Sequence, residues 1–374
     1  MPQVPYFDLV IKSGQVALNQ GPDKVSFVEC DLGIVHDKIS KIGLIEVAQA
    51  KTVIDARGLH VLPGVIDTQV HFREPGNEHK EDIFTGTKAA LLGGVTSIFE
   101  MPNTSPPTTS ETELNRKLDL AKNRAWVNYA FFVGATSQNI SILKDLEKLP
   151  GCCGIKLFMG SSTGNLLVKD DADIEKIVAA SVRRMSVHCE DENRLIERKA
   201  LLGPTPNVQM HPIWRDEETA LIATKKIVGF AEKYKRFVHI LHVTTAQEME
   251  FLAQHKKYAT VECTPQHLTL YAPECYEALD TFAQMNPPIR ERKHLIGLWK
   301  ALSENVIDVL GSDHAPHTRE EKLKGYPNTP SGMPGVQTLL PLMLNHVNDG
   351  KLSLQKLVEI ISINPARIFK IQNK

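Results

Sequence analysis

The chain has 374 residues, 42% of them hydrophobic and 23% charged, with a formal net charge of −1. That is the composition of a large soluble fold, and a near-neutral chain without a polybasic run has no electrostatic footprint for nucleic acid. No apolar stretch nears the ~20 residues that span a bilayer.

The N-terminus, MPQVPYFDLV, lacks the charged-then-apolar layout of a secretory signal. The cysteines (Cys30, Cys152, Cys153, Cys189, Cys263, Cys275) show no CxxC and no regular spacing. They read as buried reduced thiols in a cytoplasmic protein. Residues 6–58 hold the β-rich pieces "FDLVIKSGQV", "FVECDLGIVHDKISKIG" and "KTVIDARG", broken by Gly and Asp. They predict a small β module over residues 1–58.

From residue 59 to 374 the pattern changes. Short apolar runs recur at 61–71, 95–103, 127–136, 154–160, 185–191, 237–245, 259–268 and 306–317. Helix-like stretches such as "KEDIFTGTKAALLGG", "ETELNRKLDLAKN", "DEETALIATKKIVGFAEKYK" and "ERKHLIGLWKALSEN" lie between them. Eight such strands alternating with helices predict an α/β fold, a (β/α)8 TIM-like barrel. An open doubly wound sheet would want a GxGxxG turn after its first strand, and none is present. Two more helices are expected at 336–347 and 352–362. The segment "TREEKLKGYPNTPSGMPG" (318–335) reads as a long loop above the last strand, the position of a lid.

Barrel enzymes work at the C-terminal ends of their strands. The first run, "HVLPGVIDTQVHFREPG", ends with Asp67, Gln69 and His71 on one face, since strand side chains alternate. Later runs place Asn103, Lys156, His188, His242, Asp313 and His317 at the same end. A single strand histidine is more often a core residue than a ligand. Several on one rim with Asp313 point instead to a binuclear metal site. His239 lies three residues from His242 and reads as a core residue facing the other way. His314 alternates against Asp313 and reads as a supporting or outward-packed residue. His267 lies near the seventh strand's rim with no assigned role, and the remaining histidines read as surface or packing residues. Lys156, in "GIKLF", is costly inside a barrel unless paired or neutralised. A buried ion pair is one solution; carbamylation, which turns the amine into a bridging carboxylate, is the other.

These motifs resemble a family. "DTQVHFREPG" (67–76), "MPNTSPP" (101–107), "GIKLFMGSSTGN" (154–165), "VHCEDE" (187–192), "HVTT" (242–245), "NPPIR" (286–290) and "GSDHAPHT" (311–318) run in the order found in the amidohydrolase superfamily, in its class I dihydroorotases. The resemblance implies that His71 and Asp313 hold one Zn2+, His188 and His242 a second, and carbamylated Lys156 both. It implies Asp313 as the catalytic acid and base. Arg73, Asn103 and His317 would hold the substrate's carboxylate, and Asn286 with Gly332, Met333 and Pro334 the pyrimidine ring. The implied reaction is reversible cyclisation of N-carbamoyl-L-aspartate to L-dihydroorotate.

Gln69 departs from the family pattern, which has histidine there. An amide oxygen is a weaker ligand than imidazole, so one or two Zn2+ per chain are expected, the first held weakly. Family members also continue past "NPARIF" with strands that complete an N-terminal β-sandwich, whereas this chain stops at Lys374. The expectation is a reduced module with an open sheet edge that a loop or partner subunit covers. The resemblance further implies a homodimer, with association to aspartate transcarbamoylase as a possible second partnership. A hydantoinase or allantoinase is the alternative within the same chemistry. An inactive scaffold is the alternative outside it; Gln69 raises that reading, and retention of five costly polar groups on one rim lowers it.

Overall fold

Two sheets divide the chain. The computed structural model describes residues 6–21, 24–162 and 164–371, so the chain end at Lys374 lies outside it. In the smaller sheet, β1 (Phe7–Asn19) pairs antiparallel with β2 (Val25–Val35), and β2 with β3 (Lys38–Gly43). On its other side β1 takes two parallel neighbours, β4 (Ala50–Asp55) and β5 (His60–Val61). Since β5 pairs with Gln15 and Val16, this module runs to Val61 rather than ending at residue 58. Its core is Phe7, Val10 and Ile45 around a buried carboxylate. Asp31 accepts from Lys12 Nζ at 2.7 Å and from the backbone N–H groups of Ser13 and Ile45, both at 2.8 Å. β3 and β4 are the outer strands, and Ile39, Ile42, Val53 and Ile54 on them are exposed.

All eight apolar runs become parallel strands of one barrel. They are β6 (Val65–Val70), β7 (Val95–Glu100), β8 (Asn128–Gly134), β9 (Cys152–Phe158), β10 (Met185–His188), β11 (Val238–Ile240), β12 (Ala259–Cys263) and β13 (Val309–Leu310). Each pairs with the next in sequence order. A parallel bridge between Val70 and His314, with His71 N–H donating to His314 O at 2.7 Å, closes the ring. The floor is apolar: Ile66, Phe99, Phe132, Leu241 and Val309 pack with Phe369, whose ring meets Phe99 edge-on at 4.9 Å. Five of the cysteines are buried and Cys30 is half-buried; all six are free. No helix among the described residues is long and apolar enough to cross a membrane.

Side-chain caps set the starts of the outer helices. Asp82, Ser110, Asp216 and Thr245 each accept from the backbone N–H three residues on, so each helix begins at a fixed point above its strand. The last two expected helices form at Leu339–Asn348 and Leu354–Val358. The second continues beyond residue 362 through a π-helical turn, Glu359–Ile363, into the helix Asn364–Ile368. The 318–335 segment contains a short helix, Arg319–Lys322.

One buried ion pair ties a helix to the rim. Lys117, from the helix Glu111–Ala121, bonds the Glu100 carboxylate at the end of β7 and donates to Met101 O at 2.9 Å. Burial pushes Glu100 up to about 7 and pulls Lys117 down. Removing one partner of such a pair costs about 3–5 kcal/mol because the other charge is left buried. K117M should therefore lower unfolding free energy by about that much in urea titrations, and adding E100Q should recover part of it.

Candidate active site

The strand ends converge as the pattern requires. Gln69, His71, Arg73, Asn103, His188, His242, Asn286, Asp313 and Gly332 line one pocket at the C-terminal mouth of the barrel. Three of them sit on left-handed backbone: Arg73 at φ 64°, His242 at φ 36° and Asp313 at φ 46°. Non-glycine residues hold such conformations only where the surroundings over-determine them, as at functional sites.

The potential ligands meet in two pairs. His71 Nε2 lies 3.2 Å from Asp313 Oδ1, and His188 Nδ1 lies 3.1 Å from His242 Nε2. Among the described residues no three His, Cys, Asp or Glu side chains converge on one point. In each pair one imidazole has its far nitrogen engaged. Asn103 Oδ1 accepts from His71 Nδ1 at 2.7 Å, which turns the Nε2 lone pair toward the Asp313 carboxylate. Glu190 Oε2 accepts from His188 Nε2 at 2.8 Å, which turns its Nδ1 lone pair toward His242. The His71 lone pair facing the Asp313 carboxylate at 3.2 Å calls for positive charge between them, while the His188–His242 contact is met either by one N–H or by a cation shared between the two rings. Burial lowers the proton affinity of His71, His188 and, most of all, His242, so protons are poor candidates for that charge. The donor set fits divalent cations.

Lys156 supplies the shared element. It is fully buried in β9, and its Nζ has no hydrogen-bond partner. Burial pulls its pKa down to about 7, against a weaker opposing pull from Asp313. Its charge is felt by both His188 and His242. A buried amine whose proton is easily lost and which has no hydrogen-bond partner fits conversion to a carbamate, which would give each pair its third ligand. The alternative of a buried ion pair is not what the structure shows.

Gln69 takes the place of a histidine and points at the same atom as His71. Its Nε2 donates to Asp313 Oδ1 at 2.8 Å, while its buried Oε1 is unpartnered. As placed, Gln69 orients Asp313 rather than presenting an oxygen to a cation. Asp67 works behind it: its Oδ1 accepts from Ser312 N–H at 2.9 Å, pinning the segment that carries Asp313.

Arg73 is buried, and no carboxylate lies within ion-pair distance of it among the described residues. Its Nε donates to Pro316 O at 3.1 Å, which sets its plane along the pocket wall. His317 stands behind it. Its Nε2 donates to Ser331 O at 3.0 Å and its Nδ1 faces Lys80 Nζ at 3.2 Å. Burial, then the charges of Arg73 and Lys80, push His317 down to about 3, so it is neutral. Asn286 is held by His211, whose Nε2 donates to Asn286 Oδ1 and Met285 O, both at 3.0 Å. Gly332 lines the pocket, but Met333 and Pro334, which follow it, do not. The Met333 side chain packs on the Ala272, Tyr276 and Met285 cluster, and Pro334 is exposed, because backbone pairing of Met333 with Ala315 turns both away. The 318–335 loop is latched: Lys322 Nζ donates to Gln284 O, Pro330 O and Gly332 O at 3.1–3.2 Å.

The other histidines are accounted for by packing. His239 bonds Thr260 Oγ1 at 2.8 Å and the buried Glu262 at 3.1 Å. His314 bonds Glu81 at 2.6 Å and accepts from Gly335 N–H at 2.9 Å. His267 lies between Thr264 Oγ1 at 2.8 Å and Pro287 O at 3.2 Å. Sequence reasoning missed Glu190 and Arg215. Arg215 Nε donates to Glu190 Oε1 at 3.0 Å, both side chains are buried, and Arg215 with His188 holds Glu190 well below the carboxylate range despite burial. The signal was available: Glu190 follows His188 by two residues, on the same face of an extended strand end. Ser162 also lines the pocket, and no pattern marked it.

Comparisons with known proteins bear on this arrangement. The amidohydrolase family model matches residues 60–374. A dihydroorotase from Methanosarcina mazei is 35% identical over 376 residues, covering 97% of this chain and 80% of the relative. One from Pyrococcus abyssi is 35% identical over 349 residues, covering 93% and 78%. Among solved structures, an L-hydantoinase (dihydropyrimidinase) from Arthrobacter aurescens superposes with a TM-score of 0.90 at 27% identity, covering 98% of this chain and 83% of that one.

Groups that orient a metal-binding histidine are typically worth about 10–100-fold in metal affinity. E190Q should weaken metal binding by about that factor in chelator competition, with the far-ultraviolet spectrum unchanged. Unaltered affinity would remove Glu190 from the site.

Proposed function

The chain belongs to the amidohydrolase family, and we propose that within it the protein is a cytoplasmic, metal-dependent dihydroorotase of pyrimidine biosynthesis. The observation that carries this reading is Arg73: a buried guanidinium on the pocket wall with no carboxylate of its own. Its Nε is spent on Pro316 O and its Nη2 lies 3.2 Å from His317 Nε2, but a planar guanidinium with Nη donors still to share is a natural seat for a substrate carboxylate. L-dihydroorotate carries one, whereas hydantoin and allantoin do not. The dihydroorotase relatives favour the same choice, while the hydantoinase neighbour supports the shared cyclic-amide chemistry.

His71 with Asp313, His188 with His242, and carbamylated Lys156 would hold one or two Zn2+. Cations there would supply Lewis-acid polarisation of the ring carbonyl and acidify water. The chain's own residues do the rest. Arg73 grips the carboxylate and so fixes the ring's orientation, which lowers the entropic cost of attack. Asn286, held by His211, faces the ring. In the hydrolytic direction Asp313 accepts the proton of the attacking water and delivers it to the ring nitrogen as the amide bond breaks. Gln69 Nε2 keeps Asp313 Oδ1 oriented for that exchange. His317 is neutral with its donor spent on Ser331, so it shapes Arg73 rather than sharing the carboxylate's charge.

Purified, metal-reconstituted protein should hydrolyse L-dihydroorotate and leave hydantoin and allantoin untouched. Preference for either of the latter would transfer the assignment to another cyclic-amide hydrolase. R73K, which loses the two-pronged bond, should raise KM about 10–100-fold, as expected for losing a charged hydrogen bond of about 1.5–3 kcal/mol. D313A should abolish turnover with the fold intact. Because Gln69 spends its donor on Asp313, metal analysis should find one tightly held ion and one easily stripped. Q69H should raise retained metal toward two ions per chain; two tight ions in the unaltered protein would refute the weak-site reading.

A further inference from the structure

The opposite end of the barrel carries a second cavity that the chemistry above does not use. It has a volume of about 670 Å³ and is lined at the N-terminal ends of the strands. Cys153 is the second residue of β9, Arg183 and Arg184 precede β10, Phe237 precedes β11, Thr260 is the second residue of β12 and Asp308 precedes β13. Arg367 and Lys370 approach from the last helix. The volume lies within the 300–1,000 Å³ usual for small-molecule sites.

Its electrostatics are one-sided. Asp308 is taken by Lys256 Nζ and by Val261 N–H. The nearby Glu147 carboxylate is spent on Ser181 Oγ and the backbone N–H groups of Val182 and Arg183. Arg183, Arg184, Arg367 and Lys370 have no carboxylate in ion-pair reach among the described residues. Arg183 donates to Glu147 O and Cys152 O, and Arg184 to Val238 O and Thr260 Oγ1. Those are neutral acceptors, so apart from the pull of Asp308 on Arg184 these charges have little to answer them. Among the described residues Arg184 Nε is shielded from solvent without a hydrogen-bond partner; the guanidinium lies over the Phe237 ring at 5.2 Å, attracted by Asp308 and repelled by Arg367. Like charges gathered around a cavity cost free energy unless an anion joins them. Beside them Val182 and Phe237 expose apolar surface, 41% and 46% of each. Phosphate answers the guanidinium cluster, and a flat ring answers the apolar rim.

We propose that this basal cavity binds a phosphate-bearing anion of nucleotide size, away from the catalytic mouth. Calorimetric titration of the full chain with ATP, CTP and inorganic pyrophosphate at low ionic strength tests it. Saturable nucleotide binding tighter than about 1 mM, weakened by added salt, is expected. R367A/K370A removes two exposed side chains outside the core. It should weaken nucleotide binding about tenfold and leave turnover unchanged. R73K should leave nucleotide binding intact, which separates this cavity from the substrate pocket. Absence of saturable binding for all three probes, or binding indifferent to R367A/K370A, would overturn the proposal. Pyrophosphate binding as tightly as either nucleotide would overturn the role given to Phe237 and Val182.

Discussion

A buried amine with nothing to bond sets the terms for the whole site. Lys156 has been carried into the barrel by an otherwise apolar strand, and no carboxylate or carbonyl meets it. Around it His71 meets Asp313 and His188 meets His242, each pair at about 3 Å. Folding alone does not satisfy such a cluster. Each element costs stability that an apolar side chain would not, and on the proposed reading bound cations and a lysine carbamate would offset those costs together. The wider frame serves this arrangement: Glu190 and Arg215 aim His188, Asn103 aims His71, and Asp67 and Gln69 aim Asp313.

Arg73 plays a different part. Among the described residues no acid lies within ion-pair reach of it, although Asp313 and Glu100 act on it from further off. Left-handed backbone and a bond to Pro316 O hold it where it is. His317, neutral, stands against it, its Nε2 3.2 Å from Arg73 Nη2. On the proposed reading, the general reaction class would rest with the cluster around Lys156 and the choice of substrate with a single guanidinium.

Much of this was legible in the chain. Eight apolar runs gave eight strands because fully buried parallel strands are continuous apolar blocks, with no need for fine alternation. The rim residues could be read because strand ends put chemistry on one mouth. Legibility failed where the decisive fact was a neighbour distant in sequence. Met333 and Pro334 belong to the motif that contains Gly332, yet pairing with Ala315 turns them away from the pocket. Arg215 reaches Glu190 from another segment, and no local pattern announces it. The small module's limit moved from residue 58 to Val61 because a two-residue strand is set by its partner, Gln15 and Val16, rather than by its own composition.

The join between the first and last barrel strands is thin. β13 has only two residues, and beyond it the ring is closed by the Val70–His314 bridge, the His71–His314 bond, Asp67 on Ser312 and Gln69 on Asp313. Three of the polar side chains on this seam face the catalytic mouth. Local opening is cheapest where backbone pairing is sparse, so amide exchange should be quickest along this line of an empty barrel. An ion shared by His71 and Asp313 would then act as a rivet, coupling occupancy of the site to closure of the cylinder itself.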